Sequence, residues 1–415
     1  MPLPAAGLPA AQVLDQLEAL KTADVRWHDG RAFTLAYHAD DEVLALQRRA
    51  YAAFSTENAL NTDAFPSLRT IQHDVLGIVA DWLEGGTEAA GFMTTGGTES
   101  ILMAVLAARE RGRSERGVTA PNMVLPTSAH AAFEKGAHYF GVESRRVPVR
   151  DDWRADADAM AAAVDGDTVL VVASAPQYPQ GVVDPVADVA AIALDRGISC
   201  HVDACMGGVT LTYLKRLGHD LPAWNFSVPG VTSISVDLHK FGYTAKGASV
   251  VMHRTKGLRR HQVFLTENWL GGFYGSSGVL GTKSGGAMAA AWAVLHHLGD
   301  EGYLRLAAQA RRATEALAAG IDATPELVLW ARPDAMLLSF GAADPDTLDV
   351  FAVADALWRR GWYVDRQGPP PSLHCTVNAV HDGRIDEFVA DLRASVAEVL
   401  AVAGRGERGA YGTVE

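Results

Sequence analysis

The sequence predicts an α/β chain: an open, mostly parallel central sheet with helices on both faces, followed by a smaller C-terminal α+β domain. Three observations carry this. Thr168-Val169-Leu170-Val171-Val172-Ala173 is a near-continuous apolar run, as expected of a parallel strand buried on both faces. From Phe92 onward the chain repeats strand, turn and helix, the rhythm of an open parallel sheet. From Leu304 the texture changes to helices and short strands in mixed order.

In chain order, Val13, Leu14, Leu17 and Leu20 fall at helical spacing over 11–21, and a second amphipathic helix is predicted over 41–54. Between them Trp27-His28-Asp29-Gly30-Arg31 reads as a turn; residues 1–60 together make an N-terminal arm. A polar loop over 58–67 leads into a helix over 68–83, ended by Gly85-Gly86. Phe92 begins a strand, and Gly96-Gly97-Thr98 precedes a helix over 101–110. Residues 123–126 form a short strand. Ser128-Ala129-His130 opens a helix closed by Gly141. After the apolar strand, Asp184-Pro185 supplies an N-cap and an N1 proline for a helix closed by Gly197. The strand 198–202 then delivers Asp203 at its end.

Ser233-Ile234-Ser235-Val236-Asp237-Leu238-His239-Lys240 alternates like a half-buried strand, and Gly242 turns the chain after the lysine. Residues 247–254 form another strand, and the glycine-rich segment 269–278 reads as a loop over a site. Helices over 286–298 and 304–319, strands over 327–330 and 336–340, a helix over 350–360, a strand over 373–378 and a last helix over 385–402 complete the chain. This places a large domain at 61–298, a small domain at 299–403 and a frayed tail at 404–415.

Composition narrows the function classes. At 415 residues the chain can bury a large core, and 48% apolar with 20% charged residues is the balance of an ordinary soluble protein. A net charge of −13 argues against nucleic acid or an anionic membrane as partner. The three cysteines, Cys200, Cys205 and Cys375, lack metal-type spacing and point to free thiols in a reducing compartment. No metal site is expected. Neither a signal peptide nor an apolar run near the roughly 18 residues of a membrane span is present, so a cytoplasmic protein is expected. Glycine runs such as Gly96-Gly97, Gly207-Gly208 and Gly271-Gly272 would let backbone approach a ligand.

Strand ends of an open parallel sheet are where ligands collect, and both Asp203 and Lys240 end strands. Singly, each candidate has a plain structural reading. His239-Lys240 is a solvated strand end, Asp203 a helix cap or surface salt bridge, Gly96-Gly97-Thr98 a helix entry and His130 a surface ring. His201 either orients Asp203 or is a satisfied core histidine. Together they match the needs of pyridoxal 5′-phosphate: a lysine for its aldehyde, a carboxylate for its pyridine nitrogen, a ring to stack on it, and backbone N–H groups for its phosphate.

The chain resembles the group II pyridoxal-phosphate decarboxylase superfamily, and within it the sphingosine-1-phosphate lyases. The matching stretches are Thr95-Gly96-Gly97-Thr98-Glu99-Ser100, His130-Ala131-Ala132-Phe133-Glu134-Lys135, Ser174-Ala175-Pro176-Gln177-Tyr178-Pro179, His201-Val202-Asp203-Ala204-Cys205-Met206-Gly207-Gly208, and Asp237-Leu238-His239-Lys240-Phe241-Gly242 with Lys246-Gly247. The resemblance implies the fold type I (aspartate aminotransferase-like) architecture of pyridoxal-phosphate enzymes. It also implies Lys240 as Schiff-base lysine, Asp203 as pyridinium partner and His130 as stacking ring. Gly97, Thr98, Ser235 and His239 would hold the phosphate, and Thr282 would complete the phosphate site of a neighbouring subunit in a homodimer. Tyr37, Asn61, Lys246 and Tyr274 would approach the substrate, with Lys246 and Lys283 as partners for a substrate phosphate.

The chain departs from the lyases at Asn61, where they carry histidine, and at Gln180, Ser276-Ser277-Gly278 and Gly281-Thr282-Lys283. The activity implied is retro-aldol cleavage of a phosphorylated amino alcohol to an aldehyde and phosphoethanolamine. An amino-acid α-decarboxylase on the same scaffold is the alternative, and a cofactor-binding scaffold without turnover is the third reading.

Overall fold

The computed structural model describes residues 2–402 and 406, so the expected tail at 404–415 lies outside the described residues apart from Gly406. Seven strands form the main sheet: β1 (Ala90–Thr94), β2 (Asn122–Pro126), β3 (Glu143–Val147), β4 (Thr168–Ser174), β5 (Ser199–Asp203), β6 (Ser233–Val236) and β7 (Ser249–His253), in the order β1-β7-β6-β5-β4-β2-β3. Only β7 runs against its neighbours. The carboxyl ends of the other six therefore share one edge, and β1, β4, β5 and β6 open toward the same space. A hairpin follows, β8 (Phe264–Thr266) with β9 (Tyr274–Ser276). Then comes an antiparallel sheet in the order β10-β11-β13-β12, from β10 (Leu327–Leu329), β11 (Leu337–Ala342), β12 (Asp365–Gln367) and β13 (Ser372–Thr376).

The helices are α1 (Ala10–Ala19), α2 (Asp41–Ala53), α3 (Pro66–Trp82), α4 (Gly97–Arg116), α5 (Ala132–Phe140), α6 (Ala157–Ala163), α7 (Val186–Arg196), α8 (Gly207–Arg216), the single turn α9 (Lys256–Arg259), α10 (Gly286–Asp322), α11 (Val350–Arg359) and α12 (Ile385–Val402). Among the described residues no helix is long and apolar enough to cross a membrane.

β4 shows why the apolar run was informative. Val169 and Val172 join the core under α4 and α5, while Val171 and Ala173 join the core on the opposite face. Every residue of β4 is buried. The expected half-buried strand at 233–238 is instead a central strand, buried on both faces between β5 and β7, and it ends at Val236. Asp237 and Lys240 thus sit in the turn beyond it.

Several expectations are corrected. Asp184 does not cap α7: Pro185 holds that position, and the Asp184 carboxylate accepts the backbone N–H groups of Ala155 (2.8 Å) and Ser174 (2.7 Å). Gly207 and Gly208 serve packing rather than a ligand. They begin α8, and a Cβ would lie 2.0 Å from the Ala175 carbonyl oxygen at the first and 2.6 Å from the Val236 side chain at the second. The helix after Ser128 starts only at Ala132. Residues 269–278 contain β9 and part of the exposed β8–β9 hairpin, and at their end Gly278 packs against Glu99 and Phe92. The helices expected over 286–298 and 304–319 are one element, α10, interrupted at Gly299 (φ 54°, ψ −169°). The expected boundary after residue 298 falls inside it, and core membership changes between Ala310 and Ala313.

Candidate active site

A cavity of about 450 Å³ opens beyond the carboxyl ends of β1, β4, β5 and β6. Gly97, Thr98, His130, Asp203, His239 and Lys240 all line it, although they come from separate stretches of chain. Tyr178, Cys205, Glu99 and Asp237 line it too.

The acid is held from behind. β5 delivers Asp203 to the edge of the cavity, where one carboxylate oxygen, Oδ1, accepts the Cys205 N–H (3.1 Å) and the Ser235 hydroxyl (3.2 Å). His201, one alternation earlier, sits between the hydroxyls of Ser233 (2.9 Å) and Ser235 (3.2 Å), and so reaches Asp203 only through Ser235. Burial pushes the His201 ring down to about 4 despite Asp203, so it is neutral. Ser235, expected at the phosphate, is fully buried behind the acid and does not face the cavity. Burial, Asp203 and Asp237 push the Cys205 thiol well above its ordinary value, which keeps it protonated and unreactive.

The lysine stands opposite. Lys240 Nζ lies 3.1 Å from Asp237 Oδ2, and His239 Nε2 lies 3.7 Å from the same oxygen. Asp237 is 2% exposed, and the Ser249 hydroxyl donates to its Oδ1 at 2.5 Å. Burial alone would raise the Asp237 carboxyl, but Lys240, His239 and Ser249 together outweigh it and hold the group below the usual carboxylate range.

Two rings complete the walls. The Ala132 N–H donates to His130 Nδ1 (3.1 Å), so the proton of the neutral ring sits on Nε2. Burial lowers the His130 pKa, with Asp203 pulling the other way and Lys240 adding to the drop. Burial likewise lowers His239, whose Nδ1 is buried without a hydrogen-bond partner. A buried nitrogen of this kind is costly unless a ligand satisfies it.

The other expected residues are not brought into the cavity. Lys246 Nζ donates to the His239 carbonyl (3.2 Å) and lies 4.9 Å over the Tyr37 ring, so these two meet each other beside the lysine turn. Lys246 reaches solvent yet is crowded, and that crowding together with Lys240 lowers its pKa. Asn61 accepts the N–H groups of Asp63 (2.9 Å) and Ala64 (3.3 Å), a local turn at the surface. Thr282 is exposed and takes a hydrogen bond from Asn58 (3.4 Å). Tyr274 belongs to the hairpin. Lys283 donates to the Met93 carbonyl (2.8 Å) over the Phe92 ring, and burial there pushes it down to about 8.

Three wall residues escaped the sequence reading. Asp237 had a signal, a carboxylate three positions before the lysine, but alternation alone does not show which face it takes. Glu99 clamps its surroundings: it accepts from the N–H and hydroxyl of Thr95 (both 2.7 Å) and from the Val279 N–H (2.8 Å), which ties the loop at Val279 to α4. Tyr178 donates to Asp365 (2.7 Å) and stacks on His374 at 4.0 Å, contacts between distant parts of the chain that no local pattern encodes.

The donor set fits pyridoxal 5′-phosphate: an amine, a carboxylate, a neutral stacking ring, the N-terminus of α4 and the unpartnered His239 nitrogen around one cavity. Among the described residues no group of three or more His, Cys, Asp or Glu could hold a metal. Residues 4–343 match the pyridoxal-dependent decarboxylase conserved domain. The chain belongs to the pyridoxal-dependent decarboxylase family. It is 37% identical to the sphingosine-1-phosphate lyase of Oryza sativa over 97% of this chain and 75% of that protein. The solved sphingosine-1-phosphate lyase of Burkholderia pseudomallei superposes with a TM-score of 0.92 at 38% identity, over 97% of this chain and 94% of that one. The Lactobacillus brevis glutamate decarboxylase, at 19% identity and TM-score 0.84 over 96% and 94%, shares the fold. Family members of this fold are pyridoxal 5′-phosphate enzymes, and the sheet with its smaller C-terminal α+β unit is the fold type I arrangement.

Proposed function

We propose that the chain is a pyridoxal 5′-phosphate-dependent carbon–carbon lyase acting on a phosphorylated long-chain amino alcohol of the sphingosine-1-phosphate type. The products would be a long-chain aldehyde and phosphoethanolamine. The observation that carries this reading is the convergence of Lys240, Asp203 and His130 on one cavity, in a chain 37–38% identical to proteins named for that activity.

Bound there, the cofactor supplies an electron sink for the pair released when a bond to the substrate's amine-bearing carbon breaks. The residues do the rest. Lys240 supplies the amine that anchors the aldehyde, and Asp203, fixed by Cys205 and Ser235, supplies the carboxylate for the pyridine nitrogen. His130, neutral and with its Nδ1 occupied, lies across the cavity to cover the ring. The first N–H groups of α4 and the open His239 nitrogen hold the phosphate. Tyr178 and the loop at Val279 and Leu280 narrow the mouth and limit water.

We further infer a homodimer with shared active sites. The hairpin and the loop after it expose Phe264, Leu265, Trp269, Leu270, Phe273, Val279 and Leu280, an apolar stretch long enough for a subunit interface. Thr282, Lys283 and Tyr274 lie on the same stretch and would serve a second copy's site. Three buried cysteines without a disulfide suit a reducing, cytoplasmic setting.

The test is to incubate the cofactor-loaded protein with a phosphorylated long-chain base and, separately, with a panel of amino acids. Aldehyde from the first is the expected result. Carbon dioxide from an amino acid, with no aldehyde, would replace the reading with a decarboxylase. Borohydride reduction and peptide mapping should place the cofactor adduct on Lys240.

A further inference from the structure

Behind the lysine runs a line of buried oxygens that neither the cofactor nor the substrate needs to touch. The Thr94 and Ser100 hydroxyls are 2.6 Å apart, those of Ser100 and Ser249 3.0 Å apart, and Ser249 donates to Asp237 Oδ1 at 2.5 Å. Asp237 Oδ2 then meets Lys240 Nζ at 3.1 Å. All four residues behind the lysine are 0–2% exposed. They come from β1, α4, β7 and the turn after β6, so the line ties the lysine turn to three neighbouring elements. Three hydroxyls in a dry interior are retained only where they satisfy something, and here the chain ends on a carboxylate that would otherwise be short of donors.

We propose that Asp237 is a catalytic residue of this site, the resting counter-ion on which the Lys240 ammonium docks whenever the lysine is not bonded to the cofactor, with Ser249, Ser100 and Thr94 as the positioning residues that fix its carboxylate. This rests on the reading that Lys240 is the cofactor lysine. For the amine to attack an aldehyde, one N–H bond of the ammonium breaks and its proton goes to solvent. Asp237 stays ionised throughout. Its charge therefore slows the capture of the aldehyde and stabilises the lysine once a substrate amine has displaced it. Removing the charge should push these two steps in opposite directions, which a loss of packing would not do.

The other titratable groups facing the pair are His239 and Lys246 on the same turn, Asp203 and Cys205 at the end of β5, His130 before α5, and His374 on β13. All of them remain in place in the near-isosteric variant Asp237→Asn, although His130, His239, Cys205 and Lys246 lose the upward pull of the Asp237 charge along with Lys240. The experiment uses cofactor-free protein, pyridoxal 5′-phosphate and borohydride trapping over a range of pH, with peptide mapping of the adduct. Asp237→Asn should move the midpoint for adduct formation at Lys240 to lower pH, by about one pH unit or more. A midpoint lower by about one pH unit makes capture near neutral pH about tenfold faster. The same variant should turn over phosphorylated substrate more slowly.

Ser249→Ala keeps the charge and loosens its aim. It should leave the capture midpoint within about half a pH unit of wild type and lower turnover only, and it stands in should Asp237→Asn fail to fold: a midpoint that moves down as far as a lost charge demands would overturn the assignment. So would an unmoved midpoint in folded Asp237→Asn, or capture and turnover falling together. An adduct on a different lysine would instead sink the underlying reading of Lys240.

Discussion

Two neighbouring glycines at the mouth of α4 should respond very differently to the same added methyl group. At Gly97 a Cβ would lie 2.7 Å from Asp237 Oδ2 and 2.8 Å from Cys205 Sγ, well inside ordinary contact. Neither neighbour can swing away. Asp237 is tied to Ser249 and Lys240, and the Cys205 thiol donates to the Ser235 hydroxyl (3.2 Å). Overpacking of this kind costs about 1–3 kcal/mol, which exceeds the gain of up to about 1 kcal/mol from exchanging a helical glycine for alanine.

Because both displaced groups border the cavity, the strain should fall on cofactor affinity. Gly97→Ala is expected to weaken pyridoxal 5′-phosphate binding about tenfold to a hundredfold, equivalent to about 1.4–2.8 kcal/mol. At Gly96 the nearest atom to a Cβ is His239 Cε1 at 3.6 Å, and the backbone there is extended (φ 166°), so Gly96→Ala should stay within about 0.5 kcal/mol of wild type. Absorbance titration of cofactor-free protein reads both variants. Equal affinities for the pair, in either direction, would refute the steric argument.

Further consequences can be measured on the whole chain. Burial pushes His201, His253, His374 and His381 each to about 4. Their folded values lie below the unfolded one, so the unfolded chain takes up more protons as pH falls below about 6.5. Each should cost about 2 kcal/mol of stability by pH 5, and urea midpoints should drop steeply between pH 7 and 5. A flat profile would contradict the neutral assignments. Gly181 has φ +76° and a Cβ there would lie 2.1 Å from the Leu337 carbonyl oxygen, so Gly181→Ala should destabilise the contact between the main sheet and β11 by more than about 3 kcal/mol, measured by denaturant unfolding. Tyr178→Phe removes a hydrogen bond to Asp365 but keeps the stacking on His374. It should raise the KM for a long-chain substrate several-fold with little change in cofactor binding, as read by steady-state kinetics and titration.

What the sequence made legible followed how local each cause was. β4 could be read because a strand covered on both faces favours a continuous apolar run, here Val169 to Ala173. β3 and β12 could not: Glu143, Arg145 and Arg146 sit on an edge strand that tolerates charge, and Asp365-Arg366-Gln367 does the same at the rim of the second sheet. α8 was hidden because it begins on two glycines whose reason is the tight approach to Ala175 and Val236, a contact far away in sequence. Lys240, Asp203 and His130 stood at or just beyond strand and helix ends and could be placed on one edge. Ser235, which the resemblance would place at the phosphate, lies behind Asp203, because β6 ends at Val236 and the turn beyond it lines the cavity. Asp237 went unnoticed because period-2 alternation fixes which residues share a face but not which face meets the cavity.

α10 changes how movement within the molecule has to be pictured. Gly299 breaks its hydrogen-bond geometry and looks like the natural place to bend. Yet Tyr303, Leu306, Ala307 and Ala310, all beyond that break, are embedded in the core beneath the large sheet, and only from Ala313 onward does the helix belong to the second core. The rod is thus built into one wall well past its visible joint, like a cantilever. Flexing at the glycine would tear those four side chains from their sockets, so the visible joint gives the C-terminal sheet no hinge.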